Sequence, residues 1–277
     1  ISFMLVISLA LLAAFIALER RRSHTNRSVL VELSLFRIPT FRLGAFTAFL
    51  VSLGEFGLIF VLPLLLQGAL GYSALATGWL MMALALGTFA ASALVPHLVR
   101  AWGKVAVVRV GLASEAGALI LLAALVTSPT WALSLILFIY GAGLGLASAQ
   151  LTDTTMADVP VEYSGVASGL QTTIRQLGSA MGIAVLGGLM IARLTTLTET
   201  AFAHASTANA RELAQLVHDS VGAAIPTIGE HYPQAAKLAS QALIHAAQLT
   251  ISVAAAILIL SVVAAFFLPD NRTRERN

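Results

Sequence analysis

The chain has no cysteine, which removes disulfide frameworks, thiolate metal sites and cysteine nucleophiles from consideration. Charge is nearly as scarce: Asp, Glu, Lys and Arg make up 10% of the residues, against about 25% in a soluble domain. Aromatics are only 7%, and no Lys/Arg stripe interleaves with them, so nucleic-acid binding has no footing. GxSxG, HExxH and Walker loops are absent, as are paired intramembrane histidines, and with them the usual signatures of an enzyme. What remains is apolar. Hydrophobic residues are 58% of 277 and mean hydropathy is +0.89, more than a soluble core of this size can enclose, so the chain is expected in a lipid bilayer.

A helix needs about 20 apolar residues to cross the hydrocarbon. The expected spans are Ile1–Leu18 (the end of a span), Leu43–Gln67, Ala76–Val99, Val105–Val126, Trp131–Met156, Val166–Ala192 and Ala247–Leu268. The expected organisation is a helix end over 1–18, a basic cytoplasmic loop over 19–42, five helices over 43–192, an extracytoplasmic loop over 193–246, a last helix over 247–268 and a cytoplasmic tail over 269–277. Loop charge orients it. Arg20, Arg21, Arg22, Arg27, Arg37 and Arg42 lie before the first complete span, Arg100 and Lys104 in the link VRAWGK, and Arg272, Arg274 and Arg276 in the tail, whereas the turns at Gly71 and Pro129 carry no cation. Positive loops stay inside, so the carboxyl terminus is expected in the cytoplasm. The long segment 193–246 is rich in Ala, Leu, Gln and Glu, which favours short amphipathic helices. Its histidines, His204, His218, His231 and His245, lack metal-site spacing and read as solvated helix residues; His97, at an inner helix end, reads as snorkelling. The chain opens on Ile1 within an apolar run, and a fragment lacking its amino-terminal part is the expectation.

Ionisable side chains at bilayer depth are costly unless paired or watered, and each is a functional hypothesis. Glu55, Glu115 and Arg175 are the clear cases, with Asp153 nearer a helix end. At about 1.5 Å per residue, Glu55 lies about 18 Å and Arg175 about 14 Å into spans of the same direction. The two could pair directly or face one polar cavity. Glu55 is the candidate for reversible protonation, because burial and a nearby cation act in opposite senses on a carboxyl group's hold on its proton. Gln171, Arg175 and Ser179 form one stripe at i, i+4 spacing. Arg175 either ties helices together by bonding carbonyls or takes part in transport. Gln67 and Gln150 are further cavity candidates. Gly165 and Gly169, and Gly178 and Gly182, form GxxxG pairs that allow close helix approach. Pro63 frees the carbonyl of Ile59 near Glu55, with Gly54 and Gly57 beside it; Gly141, Gly143 and Gly145 stud the fifth span, for bending or for packing. Asp153 suits a cap or a loop contact, and Glu115, on a helix without a polar stripe, suits a structural or partner-facing role.

Phe56–Met82 (FGLIFVLPLLLQGALGYSALATGWLMM), VRAWGK and Val161–Gly188 (VEYSGVASGLQTTIRQLGSAMGIAVLGG) resemble the carboxyl half of the fourteen-helix drug:proton antiporters of the major facilitator superfamily. The resemblance covers nearly the whole chain. It implies an all-α polytopic transmembrane bundle: a six-helix carboxyl-terminal domain of major-facilitator type, preceded by the end of a central helix. It further implies proton-driven export of small lipophilic drugs or toxic compounds, with protons as coupling ion, no other cofactor, and the missing amino-terminal half as partner within a plasma membrane, the bacterial inner membrane. Arg100, Gly103 and Lys104 match a basic inner-loop motif of that family whose usual acidic residue is absent here. Export or import of a specific metabolite or siderophore, and a non-transporting membrane scaffold, are the alternatives.

Overall fold

The computed structural model describes residues 32–205 and 209–269, together with Ile7, Ala10 and Leu11, which are helical. The rest of the helix end expected over 1–18, the arginines of the basic loop from Arg20 to Arg27, and the tail arginines Arg272, Arg274 and Arg276 lie outside the described residues.

All the regular structure among the described residues is helical. A 3-10 turn, Leu33–Arg37, leads into α1 (Pro39–Leu64), whose end tightens into a π turn at Leu65–Ala69. Then follow α2 (Ala74–Trp102), α3 (Lys104–Ala124), α4 (Thr130–Met156), α5 (Ser164–His204), α6 (Ala210–Asp219), α7 (Ile225–His231) and α8 (Pro233–Phe266). Six of these stretches are long and apolar enough to cross a membrane. Their starts are set by local chemistry. Pro39 and Pro233 occupy the first helical turn, where a missing N–H costs nothing, and the Ser73 hydroxyl accepts from Ala76 N at 3.2 Å. Gly103, at φ 88, reverses the chain between α2 and α3 in a backbone region open to glycine but not to side chains with a Cβ. That gives the glycine of VRAWGK a purely conformational reason.

Pro63 cannot donate to Ile59, yet α1 continues through it. The ladder re-forms one residue wider just beyond, where Leu70 N donates to Leu65 O at 3.1 Å.

Two helices differ in extent from the hydropathy reading. α5 runs on to His204, and α8 begins at Pro233, so much of the segment 193–246 extends the bundle helices; the stretch QAAKLASQALIHAA is the first part of α8 rather than a separate short helix. Ala, Leu, Gln and Glu keep a helix going after hydrophobicity has ended, and a hydropathy window cannot see that.

The helices alternate in direction. α1 and α5 run parallel: Phe49 O lies against Gly178, Leu53 O against Gly182 and Phe60 against Gly187. α4 is sandwiched between α2 and α3. Residues two apart on a helix point about 200° apart, so Gly141 and Gly145 meet α2 at Leu84 and Thr88, while Gly143 meets α3 at Gly111 and Glu115. Hydroxyls follow the glycines: Thr88 donates to Gly141 O at 3.0 Å and Ser114 to Ile139 O at 3.3 Å. Close packing, not bending, is what these glycines serve. α8 packs against α1, α3 and α5. Arg109 of α3 donates to Ala265 O and Phe266 O at the end of α8, both at 3.1 Å, with its guanidinium 5.0 Å from the Phe266 ring centre. At this end of α8 the last carbonyls lack their i+4 donors, and Ala265 O also accepts from Leu268 N at 3.3 Å.

Candidate functional site

Glu55 projects from the middle of α1, half-buried, with one carboxylate oxygen enclosed and without a hydrogen-bond partner. Gly54 and Gly57 flank it because the neighbours leave no room: a Cβ at Gly54 would press on Leu258 of α8, and one at Gly57 would overlap Leu186 of α5. The chain around Glu55 is therefore clamped between two helices, with the carboxyl left at the edge of the seam.

Arg175 sits lower. The α1–α5 register sets Glu55 level with Ala184, about nine residues or ~13 Å along the axis from Arg175. The near-equal depths read from the sequence are corrected accordingly: α1 starts four residues before its hydropathy window, and α5 is staggered, its first residue Ser164 lying below the start of α1 in the register that sets Phe49 against Gly178. Glu55 and Arg175 make no ion pair with one another, but the long arginine side chain brings the two charges into interaction. Gln171, one turn below Arg175, is buried with its amide nitrogen unpartnered. Ser179 donates to Arg175 O at 2.9 Å, spending its hydroxyl on its own helix.

The other sequence candidates are spread out. Gln67 is exposed in the π turn, about 18 Å beyond Glu55 on the same helix. Gln150 is half-buried, and because α4 runs antiparallel to α1 with Thr155 against Gly44 it stands level with Phe49, between the heights of Arg175 and Glu55. Gly178 and Gly182 lie in the α1–α5 seam. Gly165 and Gly169 do not pack: a Cβ on either meets nothing within 4 Å among the described residues. Their packing role is corrected for a reason of phase. The inward face of that end of α5 carries Val166, Ala167, Leu170 and Ile174, which close over Leu35, Phe41 and Ala45, and both glycines stand one position off it.

At the basic link, Gly103 makes the turn, Arg100 is exposed, and Lys104 pairs with Asp153 of α4 at 2.6 Å, both side chains about half exposed. Asp153 thus makes a loop contact, and the acidic partner absent from the link itself comes from another helix. His97, His204, His218, His231 and His245 are exposed; among the described residues no three metal-ligating side chains cluster.

Sequence reasoning undervalued Glu115. It is fully enclosed on α3, with both oxygens lacking a partner, and Tyr140 on α4 is equally enclosed with its hydroxyl unpartnered. The charge of Glu115 interacts with those of Glu55 and Arg175. A small signal was available: Ser114–Glu115 on α3 and Tyr140–Gly141 on α4 are the polar breaks in two facing apolar helices.

Six long apolar helices around a few mid-helix polar side chains describe a polytopic membrane bundle. The sequence matches the Major Facilitator Superfamily over residues 1–183, and the chain belongs to that family. It is 35% identical over 185 residues to a tetracycline resistance determinant of Streptomyces rimosus, a match covering 65% of this chain and 52% of the relative. It is 30% identical over 190 residues to the multidrug resistance protein Stp of Mycobacterium tuberculosis, covering 68% of this chain and 34% of the relative. With a probable actinorhodin transporter of Streptomyces coelicolor it shares 31% identity over 199 residues, covering 67% and 33%. The chain spans from a third to about half the length of these relatives.

Proposed function

We propose that the chain is the carboxyl-terminal transport domain of a fourteen-helix, proton-coupled antiporter that exports lipophilic drugs or other toxic compounds. α1 to α5 and α8 form the domain, with α6 and α7 on the outer side of a plasma membrane and the basic link and carboxyl tail in the cytoplasm. A second domain completes the transporter, and rocking of the two about a midplane cavity alternates access.

The observation that carries this reading is Glu55. A half-buried carboxyl with an unpartnered oxygen, mid-way along an apolar helix, is costly to keep ionised and easy to neutralise by a proton or a cationic substrate. Arg175, with Gln171 beneath it, sets the charge environment in which Glu55 gains and loses its proton. Gln150, at the height of the two charges, would line the cavity, and Gln67 its outer mouth. Relatives named for tetracycline and multidrug resistance support the substrate class. Export of one specific metabolite is the second reading, favoured by the relative named as a probable actinorhodin transporter.

The test is dye efflux driven by a proton gradient, with the full-length protein in inverted vesicles. Glu55→Gln should abolish most of the driven efflux at unchanged expression, and Arg175→Ala should lower it and displace its pH optimum. Undiminished efflux in Glu55→Gln would sink the assignment of Glu55 to coupling. Saturable transport of a single metabolite, with no dye transport, would select the second reading.

A further inference from the structure

A second carboxyl lies level with Glu55. On α4, Thr155 faces Gly44 of α1 and the two helices are antiparallel, so Glu55 is level with Leu144; Gly143, its neighbour, is the residue against which Glu115 of α3 packs. A Cβ on Gly143 would come within 2.8 Å of Glu115 Cγ, so the glycine makes the room that the carboxyl occupies. One turn away on the same face of α4 is Tyr140, fully enclosed, its hydroxyl without a partner, as are both oxygens of Glu115. Glu55, Glu115 and Arg175 interact as charges, and Tyr140 feels both carboxyls. Of the described helices packed around this group, α8 carries no ionisable side chain from Ala246 to Phe266 and α2 none from Ala74 to Pro96.

A carboxylate held for structure has donors around it, because an enclosed charge without partners is among the costliest arrangements a fold can contain. Glu115 has none. The cluster holds two carboxyls and one guanidinium, and one proton makes it neutral.

We propose that Glu115 is a second proton-carrying carboxyl of the transporter, exchanging its proton with Glu55 beside the Tyr140 hydroxyl; this rests on the reading of Glu55 as the coupling carboxyl. In the exchange an O–H bond breaks at Glu55 and one forms at Glu115. The electron pair left on Glu55 makes it a carboxylate, balanced by Arg175. Glu55, at the open edge of its seam, meets water; Glu115 stores the proton where water does not reach.

The test uses the full-length protein in lipid nanodiscs and in proteoliposomes. Infrared difference spectra between acid and alkaline pH should show a protonated-carboxyl band that bleaches on alkalinisation, persists in Glu55→Gln and is lost in Glu115→Gln. In proteoliposomes, proton-driven dye accumulation by Glu115→Gln should fall about tenfold or more, while gradient-free dye exchange persists. Glu115→Asp, which keeps the acid one methylene shorter, should retain the band and driven transport with a displaced pH profile. An infrared titration of Glu115→Gln identical to that of the unmodified protein overturns the proposal. So does undiminished driven transport in that variant, or a Glu115→Asp protein with an unaltered spectrum and pH profile. If the unmodified protein itself shows no proton-driven dye transport, the proposed function fails, and the infrared comparison still decides whether Glu115 carries a proton.

Discussion

At the α1–α5 seam Gly178 and Gly182 admit the carbonyls of Phe49 and Leu53, and at the α3–α4 seam Gly111 and Gly143 admit one another's carbonyls. Both seams are thus backbone against backbone, the closest approach two helices can make. They differ in where their acid sits. Glu55 stands at the margin of the first seam, half-buried, on a helix face that continues through exposed Phe56 and Ile59; Glu115 is sealed inside the second. The same small residue that brings helices together leaves one carboxyl partly exposed and encloses the other. Close helix contact alone therefore does not set the exposure of a charged residue in a membrane helix; the side of the seam on which it stands does.

Bulk added inside either seam should give the largest effect. Gly182→Leu and Gly143→Leu each drive a side chain into backbone that cannot move aside, and should cost about 3 kcal/mol or more. Thermal unfolding of the detergent-solubilised full-length protein, followed by size-exclusion chromatography, would read this as loss of the monodisperse peak. Gly165→Leu should leave the midpoint unchanged, since nothing lies within reach of a Cβ there. An equally damaging Gly165→Leu would show that a further part of the transporter packs on that face of α5.

The long apolar helices were legible because lipid demands continuous hydrophobicity, and α4, expected from Trp131 to Met156, begins one residue earlier and ends at Met156. What escaped was anything set by azimuth or register. GxxxG occurs twice on α5 with the same spacing, but only Gly178 and Gly182 face α1, because phase around the helix depends on where the partner lies. Glu115 looked isolated on its own helix, and only the apposition of Gly143 and Tyr140 from α4 shows that it is enclosed. Depth counted from a hydropathy edge misplaced Glu55 relative to Arg175, since α1 starts at Pro39, before hydrophobicity peaks, and α5 is staggered against it along the axis.

Removing Arg109 should have an intermediate effect, confined to the α3 side of the bundle. It ties α3 to two terminal carbonyls of α8 and covers Phe266. Hydrogen bonds to a charged donor contribute about 1.5–3 kcal/mol when shielded; with this end of α8 partly open, Arg109→Ala should cost about 1–2 kcal/mol. Arg109→Lys should recover only part, because an ammonium cannot span two carbonyls as the planar fork does. The readout is the thermal midpoint together with amide hydrogen exchange at Ala264–Phe267. Unchanged protection there would show that the α8 end is held by packing alone.

The smallest effect belongs to Lys104 and Asp153, and its size makes it informative. Their contact is short, but both side chains are about half exposed, and pairs of this kind contribute about 0.2–1 kcal/mol, less at high salt. Asp153→Asn should therefore barely move the thermal midpoint. If the pair only fastens the start of α3 to the end of α4, transport should change as little as stability does. If instead it latches the inner ends of the helices during the access cycle, a fraction of a kcal/mol in one state shifts the balance between states, and turnover changes while the midpoint does not. Charge reversal separates the two. Each single reversal brings like charges together and should depress turnover only if the pair is a latch, and Lys104→Asp with Asp153→Lys, which restores the attraction, should then return turnover to normal. A double reversal no better than either single change would mean that Lys104 and Asp153 act through separate partners.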